Sequence, residues 1–401
     1  MNANMMNLRP VSSKDVKLGS VHLNAVRGFA AFIVLIGHAR GLFLSSVTSG
    51  PHPDPSTPMR ATNTSAAVGH LAANANSIGH EAVVVFFVLS GLLVGGSVIK
   101  LVRSKRWSWK GYLLKRMTRL WVVLIPALLL GAIFDHVGMH IFSHARSIYS
   151  APPGQAIVVS NLSRGYSPSI VLGNLGFLQN IFVPTAGSNV ALWSLANEFW
   201  YYMAFPFLLL GLIGNSARWK RIIFIVVFAV IMIGVGGHAS RLFLVWVLGA
   251  IISALPLKVP KPLVRRGTIF LAVVLSLSFP WVKKHVVNIV AAEFTIALIS
   301  ACLLYLMLHQ MDKPSAGVYS SVSAFTSKIS YTLYLVHVPV LIFFCACINT
   351  PWHIWPSTPA NIAIVLSICV LTVALAFGIY LVFEANTDQV RNFIVRKISR
   401  A

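Results

Sequence analysis

The first apolar stretch of the chain carries two ionisable side chains, Arg27 and His38. If this stretch is a helix, eleven residues at about 100° per residue put both on one face, about 16 Å apart along the axis. An ionisable group inside an apolar helix is costly and marks a candidate functional site. An imidazole can serve as a general base or a nucleophile. The alternative is structural: an interfacial arginine and a histidine hydrogen-bonded within a helix bundle.

Two later apolar stretches carry one polar candidate each. Glu198 follows Trp193 by five residues in an aromatic run, where it could orient a hydroxyl, pair with His38 or partner an arginine. His337 stands two residues before Pro339, which we expect to kink its helix and free backbone carbonyls. A histidine that donates to such a carbonyl and a catalytic histidine both fit this position.

A cationic pair and a small hydroxyl residue complete the candidates. Arg116 and Arg119 are three residues apart and therefore form one edge of a helix. Arginine suits phosphate oxygens, although anchoring at a membrane surface explains the pair equally well. Ser90 and Gly91 follow a Phe-Phe pair, and small residues there predict close helix packing or passage of a narrow acyl or pantetheine chain.

The composition decides which class of protein positions these groups. Of the 401 residues 57% are hydrophobic and only 10% charged, whereas a soluble chain carries roughly 25% charged residues. A soluble enzyme is excluded, and 24 Phe with 10 Trp exclude a disordered chain. In this context the net charge of +23 indicates basic loops at one membrane face and no nucleic-acid partner. The 4 Cys and 13 His show no disulfide framework and no metal-ligand spacing, so we expect no metal.

The apolar runs predict an all-α integral membrane protein, because lipid leaves free backbone groups without partners and no barrel-like alternation occurs. Runs near the roughly 20 residues of a spanning helix number about ten. They lie near 22–45, 79–101, 119–140, 190–213, 221–237, 241–256, 267–282, 289–310, 328–349 and 361–384.

Basic residues concentrate in alternate connections, above all in 100–119 and in the C-terminal tail. The positive-inside rule then predicts that both termini are cytoplasmic. We expect a cytoplasmic N-terminal tail over 1–20, one transmembrane domain over 21–385 and a basic cytoplasmic tail over 386–401. The basic stretch 103–117 is predicted as an amphipathic helix on the inner surface. Glu81 and Glu293 are expected at solvated outer helix ends, without a role.

Taken together in order, these motifs resemble the acyltransferase-3 family of membrane O-acyltransferases. The resemblance covers residues from about 20 to 385, and one position departs from it: Val84 stands where many members carry an Asp two residues before the Phe-Phe pair. Either Glu81, one turn away, replaces that carboxylate, or its role is absent here. The matching motifs are Arg27 with His38, Phe86-Phe87-x-x-Ser90-Gly91, Arg116-x-x-Arg119, Trp193-Ser194-Leu195-x-x-Glu198 with Tyr201 and Tyr202, and Tyr334-Leu335-x-His337-x-Pro339.

The resemblance implies transfer of an acyl group, acetyl in many members, from cytosolic acyl-CoA to a hydroxyl of an outward-facing glycan or glycolipid. It implies a multi-pass protein of the plasma membrane, the inner membrane in a bacterium, with membrane lipid around it and no permanently bound cofactor. His38 would be the base or a transient acyl-imidazole nucleophile, with Glu198 orienting the imidazole or the acceptor and Arg27 on the same helix face. The other implied residues are Arg116, Arg119, Ser90 and Arg27 for acyl-CoA, with His337, Tyr334 and Trp193 in support.

Two other functions fit the same residues. In a proton-coupled transporter or flippase, His38, Glu198 and His337 would relay protons, although the sequence lacks the two similar halves that many transporters show. An acyltransferase for a lipid or a small secreted metabolite would differ only in its acceptor.

Overall fold

The computed structural model describes residues 13–44, 79–142, 146–150, 162, 165–256, 261–285, 288–308 and 317–398, and this part of the chain contains helices and no strand. The all-α prediction is confirmed to that extent. The described helices are α1 Ser13–Phe43, α2 Gly79–Arg103, α3 Trp109–Phe142, α4 Pro168–Leu175, α5 Leu192–Ile213, α6 Arg218–Gly234, α7 Gly237–Ile252, α8 Lys261–His285, α9 Ile289–Leu308, α10 Val318–Ile348, α11 Pro359–Val382 and α12 Thr387–Ile398.

A helix overlaps each of the ten predicted apolar runs. Among the described residues six candidate spans are long and apolar enough to cross a membrane, which makes this a multi-pass membrane protein. The count of ten spans and the cytoplasmic termini stay predictions. The six candidate spans are Val21–Phe43, Gly79–Arg103, Trp109–Phe142, Ile289–Leu308, Val318–Ile348 and Pro359–Lys397.

Two details of the predicted layout are wrong. The stretch 103–117 is not a helix of its own, because α2 ends at Arg103, Lys105 has a positive φ of 56°, and α3 begins at Trp109 and runs on to Phe142. The helix also continues through Pro126, which lies inside α3. The acidic side chains at the helix ends are also not solvated, since Glu81 is 8% exposed and Glu293 is 2% exposed.

The chain forms two compact units. Unit 1 is drawn from Met1–Ala30, Val83–Trp107 and Tyr201–Lys328, and unit 2 from Ala31–Ala82, Ser108–Trp200 and Ile329–Ala401. In unit 1, α8 packs along α9, and α7 packs against both α9 and the middle of α2. In unit 2, α3 contacts α4 and the C-terminal helix α12.

Close backbone packing fixes Ser90 within unit 1. A Cβ on Gly91 would overlap the carbonyl oxygen of Trp246, so α2 and α7 can approach this closely only with glycine there. The next turn of α2, Gly91–Gly95, is π-helical. Ser90 Oγ accepts a hydrogen bond from the Trp246 indole Nε1 at 3.1 Å and lies 3.2 Å from the Tyr202 hydroxyl. The hydroxyl of Ser90 therefore satisfies a fully buried indole N–H.

In unit 2, α10 runs without interruption through Pro339. A proline has no amide N–H, so the carbonyl of Leu335, four residues earlier, loses its intrahelical donor. The side-chain amide of Asn189 replaces that donor, with Nδ2 2.8 Å from the Leu335 oxygen. Pro339 was predicted to free a carbonyl, and Asn189, in the segment before α5, supplies the donor to that carbonyl.

The end of α1 in unit 2 is satisfied in a comparable way. The last carbonyls of a helix have no intrahelical partner. The indole Nε1 of Trp352 donates to the Leu42 oxygen at 3.2 Å, and the amide of Trp355 donates to the Phe43 oxygen at 2.7 Å. These bonds tie the segment before α11 to the helix that carries His38.

Ser90→Ala tests the structural part of the Ser90 role. It leaves the Trp246 indole N–H buried without this acceptor, so we expect a loss of about 1–3 kcal/mol and a lower melting temperature of the purified protein in detergent. Ser276→Ala is the control, because Ser276 is exposed and bonds only a carbonyl of its own helix. An unchanged melting temperature for Ser90→Ala would contradict this packing role.

Asn189→Ala tests the bond to the α10 carbonyl. We expect it to destabilise the protein by about 1–3 kcal/mol, because the Leu335 oxygen stays buried without a donor. Pro339→Ala restores an amide N–H at the position that can donate to Leu335, so Asn189→Ala should cost clearly less in that background. Denaturation midpoints of the four proteins measure this coupling. Equal costs in both backgrounds would contradict the assignment.

Candidate active site

His38 and His337, 299 positions apart in sequence, form a hydrogen-bonded pair in unit 2. His38 Nδ1 lies 2.9 Å from His337 Nε2, and the ring centroids are 5.0 Å apart. His337 is 1% exposed and His38 is partly buried. The structure therefore brings together two residues that the sequence proposed separately.

The hydrogen-bond partners fix which nitrogens carry protons. His337 Nδ1 lies 2.7 Å from the carbonyl oxygen of Tyr334 and 3.2 Å from that of Leu333. Carbonyl oxygens only accept, so Nδ1 of His337 carries the proton and donates. In this apolar surrounding the neutral ring is the less costly form, and a neutral imidazole has a single N–H. Nε2 of His337 is then an acceptor.

The proton of His38 follows from this assignment. Since His337 Nε2 accepts, His38 Nδ1 must be the donor of the 2.9 Å bond. Nε2 of His38 therefore keeps its lone pair, which is the state needed for proton abstraction or nucleophilic attack. The first residue of α2 lies beside this ring, because a Cβ on Gly79 would come 3.9 Å from His38 Cε1.

The start of α5 packs against the same part of α10. The hydroxyl of Tyr334 lies 2.5 Å from Ser194 Oγ and donates to the Ala191 oxygen at 3.3 Å. The Trp193 ring stacks on His80, with 5.9 Å between centroids and 17° between planes. Glu198 is one turn beyond Ser194, so the two share a helix face, and it is partly buried. Thus Trp193, Tyr334, His337, His38 and Glu198 all belong to unit 2.

The arginine edge of α3 also lies in unit 2. The guanidinium of Arg119 lies 3.9 Å from Glu384 Oε1 and 5.9 Å from the centre of the Tyr331 ring, and its side chain is 43% exposed. Arg116 lies over the Tyr112 ring at 5.6 Å. The edge therefore presents a partly exposed cation that is held between a carboxylate and an aromatic face.

One helix relates this edge to the histidine pair. Tyr331 contacts Arg119 and His337 contacts His38, and both belong to the unbroken helix α10. Six residues correspond to about 9 Å along a helix axis. The cationic edge and the histidine pair are thus neighbouring features of one element.

The remaining predicted residues belong to unit 1. Arg27 is partly buried on α1, and the adjacent Gly28 packs so tightly against Thr326 that a Cβ would overlap the threonine side chain. Ser90 is held by Trp246 and Tyr202, as described above. Arg27 and His38 lie on one continuous helix, as the spacing predicts. Within the described residues no group of three His, Cys, Asp or Glu side chains could hold a metal ion.

Two features of unit 2 went unrecognised in the sequence. Glu384 faces Arg119 and accepts a hydrogen bond from Thr332. A lone carboxylate at the end of the last apolar run was a usable signal for Glu384. Asp135 is the sole carboxylate of α3 and fully buried. Its Oδ2 accepts from the Tyr166 hydroxyl and the Ser188 amide, both at 2.8 Å.

This buried bond orients the segment before α5. Burial, followed by the neighbouring Asp135, raises the pKa of the Tyr166 phenol above its ordinary value. The phenol therefore stays protonated and remains a donor to Asp135. A Cβ on Gly187, whose φ is +52°, would overlap Asp135 Oδ2, so this turn needs glycine for both its conformation and its space.

Comparison with known proteins adds one finding. Neither the curated proteins nor the solved structures contain a match to the chain. The family model described as an acyltransferase domain, of the acyltransferase 3 type, matches residues 21–381, nearly the whole chain. On that match the protein belongs to the acyltransferase 3 family of membrane acyltransferases.

Proposed function

We propose that the protein is an O-acyltransferase that moves an acyl group, acetyl in the simplest case, from acyl-CoA to a hydroxyl of a glycan or glycolipid. The observation that carries this proposal is the hydrogen-bonded pair of His38 and His337, from which we assign a lone pair to His38 Nε2. This assignment results from the chain of hydrogen bonds that begins at the Tyr334 carbonyl and passes through His337. A hydroxyl acceptor needs a nearby base, and this nitrogen is available to act as one.

In the proposed reaction the acceptor hydroxyl gives its proton to His38 Nε2 as its oxygen attacks the thioester carbonyl carbon. The carbon–sulfur bond then breaks, and the imidazolium returns the proton to the leaving sulfur, so that the ester and free CoA thiol are formed. While His38 carries the extra proton, its Nδ1–H bond to His337 becomes charge-assisted and stronger. The histidine pair thus stabilises the transition state more than the ground state.

The donor would bind through its phosphates at Arg116 and Arg119. Arginine offers planar, bidentate donors to phosphate oxygens, and the Arg119 side chain is 43% exposed. Arg27 and Ser90 are the further donor-binding residues that the family motifs suggest. We propose no resident cofactor, because the acyl thioester itself supplies the activated group.

The acceptor would lie at Glu198 and Trp193, which flank the contact between α5 and Tyr334. A carboxylate can accept from a sugar hydroxyl, and an aromatic ring offers an apolar face to a sugar. We place the protein in the plasma membrane, the inner membrane in a bacterium, with both termini cytoplasmic, on the distribution of its basic residues.

Substituting His38 tests the chemistry directly. His38→Ala should lower the acylation of surface glycans at least 10²-fold, because it removes the base, and His337→Ala should lower it less, because the base loses only its orienting partner. The measurement is mass spectrometry of surface glycans from cells producing each variant at equal protein levels. His136→Ala is the control, since His136 is exposed on α3.

Three results would contradict parts of this proposal. Unchanged acylation in His38→Ala would refute the assignment of the base. Acyl-enzyme that accumulates on His38 without acceptor would show a covalent route instead. Transport of a solute by the purified protein without any acyl transfer would favour the transporter reading.

Arg116 and Arg119 are tested by donor binding. Arg119→Ala and Arg116→Ala should each raise the Kd for fluorescently labelled CoA about 10- to 100-fold, because each removes a charge-assisted contact. Anisotropy titration of the purified protein in nanodiscs gives this value. Lys115→Ala is the matched control, because Lys115 is an exposed cation on the same turn of α3. An equal effect of all three substitutions would indicate nonspecific charge attraction.

A further inference from the structure

Glu384, from the C-terminal part of the chain, lies next to Arg119 at the arginine edge of α3. It begins the short 3-10 turn Glu384–Asn386 between α11 and α12, and its side chain is 9% exposed. Oε2 accepts hydrogen bonds from the Thr332 hydroxyl at 2.6 Å and the Thr332 amide at 3.2 Å. Oε1 is 3.9 Å from the guanidinium of Arg119. The Glu384 carboxylate is therefore held by Thr332 and faces Arg119.

Arg119 lies between Tyr331 of α10 and the Glu384 carboxylate that the next residue of α10, Thr332, holds. The ring of Tyr331 lies under its guanidinium at 5.9 Å, and the Tyr331 hydroxyl donates to the Leu120 oxygen at 3.4 Å. Thr332, the next residue of α10, donates a hydrogen bond to the Glu384 carboxylate, which is the other neighbour of the guanidinium. A long, rotamer-rich side chain is thus held between an aromatic face and a fixed negative charge.

This ion pair is poorly suited to stabilising the fold. Its atoms are 3.9 Å apart, the arginine is about half exposed, and such pairs contribute little to stability. It is well suited to orientation, because guanidinium has five N–H donors in a rigid fork. A carboxylate along one side leaves the rest of the fork to meet a phosphate bidentately.

We infer that Glu384, held by Thr332, is a positioning residue that presents Arg119 to the phosphates of the acyl donor. The inference rests on the proposed function, since it assigns a partner to the proposed donor-binding arginine. Glu384 touches neither the acyl group nor the acceptor in this scheme. It acts on donor affinity and leaves the chemical step unchanged.

The opposite role is physically possible and gives the opposite result. If Glu384 were a counter-ion that phosphate must displace, its removal would strengthen CoA binding. The sign of the change in affinity therefore separates the two roles, and a purely structural role would leave affinity unchanged in protein that remains folded.

The experiment compares Glu384→Gln, Thr332→Val and Asp388→Asn in the full-length protein in nanodiscs. Asp388→Asn is the matched control, because this carboxylate is 78% exposed, four residues away, and pairs with Arg391 at 2.9 Å. We expect Glu384→Gln to raise the Kd for labelled CoA and the KM for acetyl-CoA about 5- to 10-fold, with kcat within about twofold. Asp388→Asn should change neither.

Thr332→Val keeps the carboxylate and removes only the hydroxyl that fixes it, so we expect a smaller rise in Kd of about 2- to 5-fold. This variant also decides the question if Glu384→Gln fails to accumulate. Unchanged or tighter CoA binding in either variant, with Arg119→Ala still impaired, would overturn the inference alone. Absence of saturable CoA binding by the wild-type protein would instead overturn the proposed function.

Discussion

The hydrogen bond between His38 and His337 is the interaction on which the proposed chemistry of this protein depends. An imidazole in an apolar bundle has no bulk water to exchange protons with, so its neighbours decide its tautomer. Here the backbone carbonyls of α10, which only accept, require the proton of His337 on Nδ1. His337 Nε2 then accepts, which requires the proton of His38 on its own Nδ1. In the proposed reaction, main-chain geometry therefore decides which nitrogen of His38 acts as the base.

The same helix shows how a membrane protein can use an irregular backbone. Pro339 leaves the carbonyl of Leu335 without its intrahelical donor, and lipid contains no hydrogen-bond donor that could replace it. The Asn189 amide satisfies it, and Asn189 belongs to the segment that Asp135 and Tyr166 also hold. The proline therefore connects α10 to that segment, close to the start of α5. The same buried polar contacts that satisfy the backbone therefore also position the candidate site.

The sequence predicted much of the fold because apolar runs must become helices in lipid. It predicted the polar candidates because ionisable groups in such helices are few and costly. It could not pair His38 with His337, because a contact across 299 positions depends on packing that no local pattern encodes. For the same reason Glu384 and Thr332 were not connected with Arg119, and buried Glu81 was assigned to solvent.

Other differences have local causes. Helix α3 begins ten residues before the predicted span because Trp109–Thr118, although basic, contains no proline, and Lys and Arg have helix propensities close to those of Leu and Met. Apolar content alone therefore located the span and missed its first turns. The sequence left two roles open for Ser90. Only the position of Trp246 shows that the Ser90 hydroxyl accepts a structural hydrogen bond.

The order of residues along α10 bears on the proposed acyl transfer. Between Tyr331 at the arginine edge and His337 at the histidine pair, the helix carries Thr332, Leu333, Tyr334, Leu335 and Val336. This segment contains no His, Asp, Glu, Lys or Arg, whereas the proton relay of the transporter alternative would run through His38, Glu198 and His337. A ligand with anionic groups at one end and a neutral reactive arm at the other matches the same order. An acyl thioester with a phosphate-bearing carrier is such a ligand, so the order of residues along α10 agrees with the proposed acyl transfer.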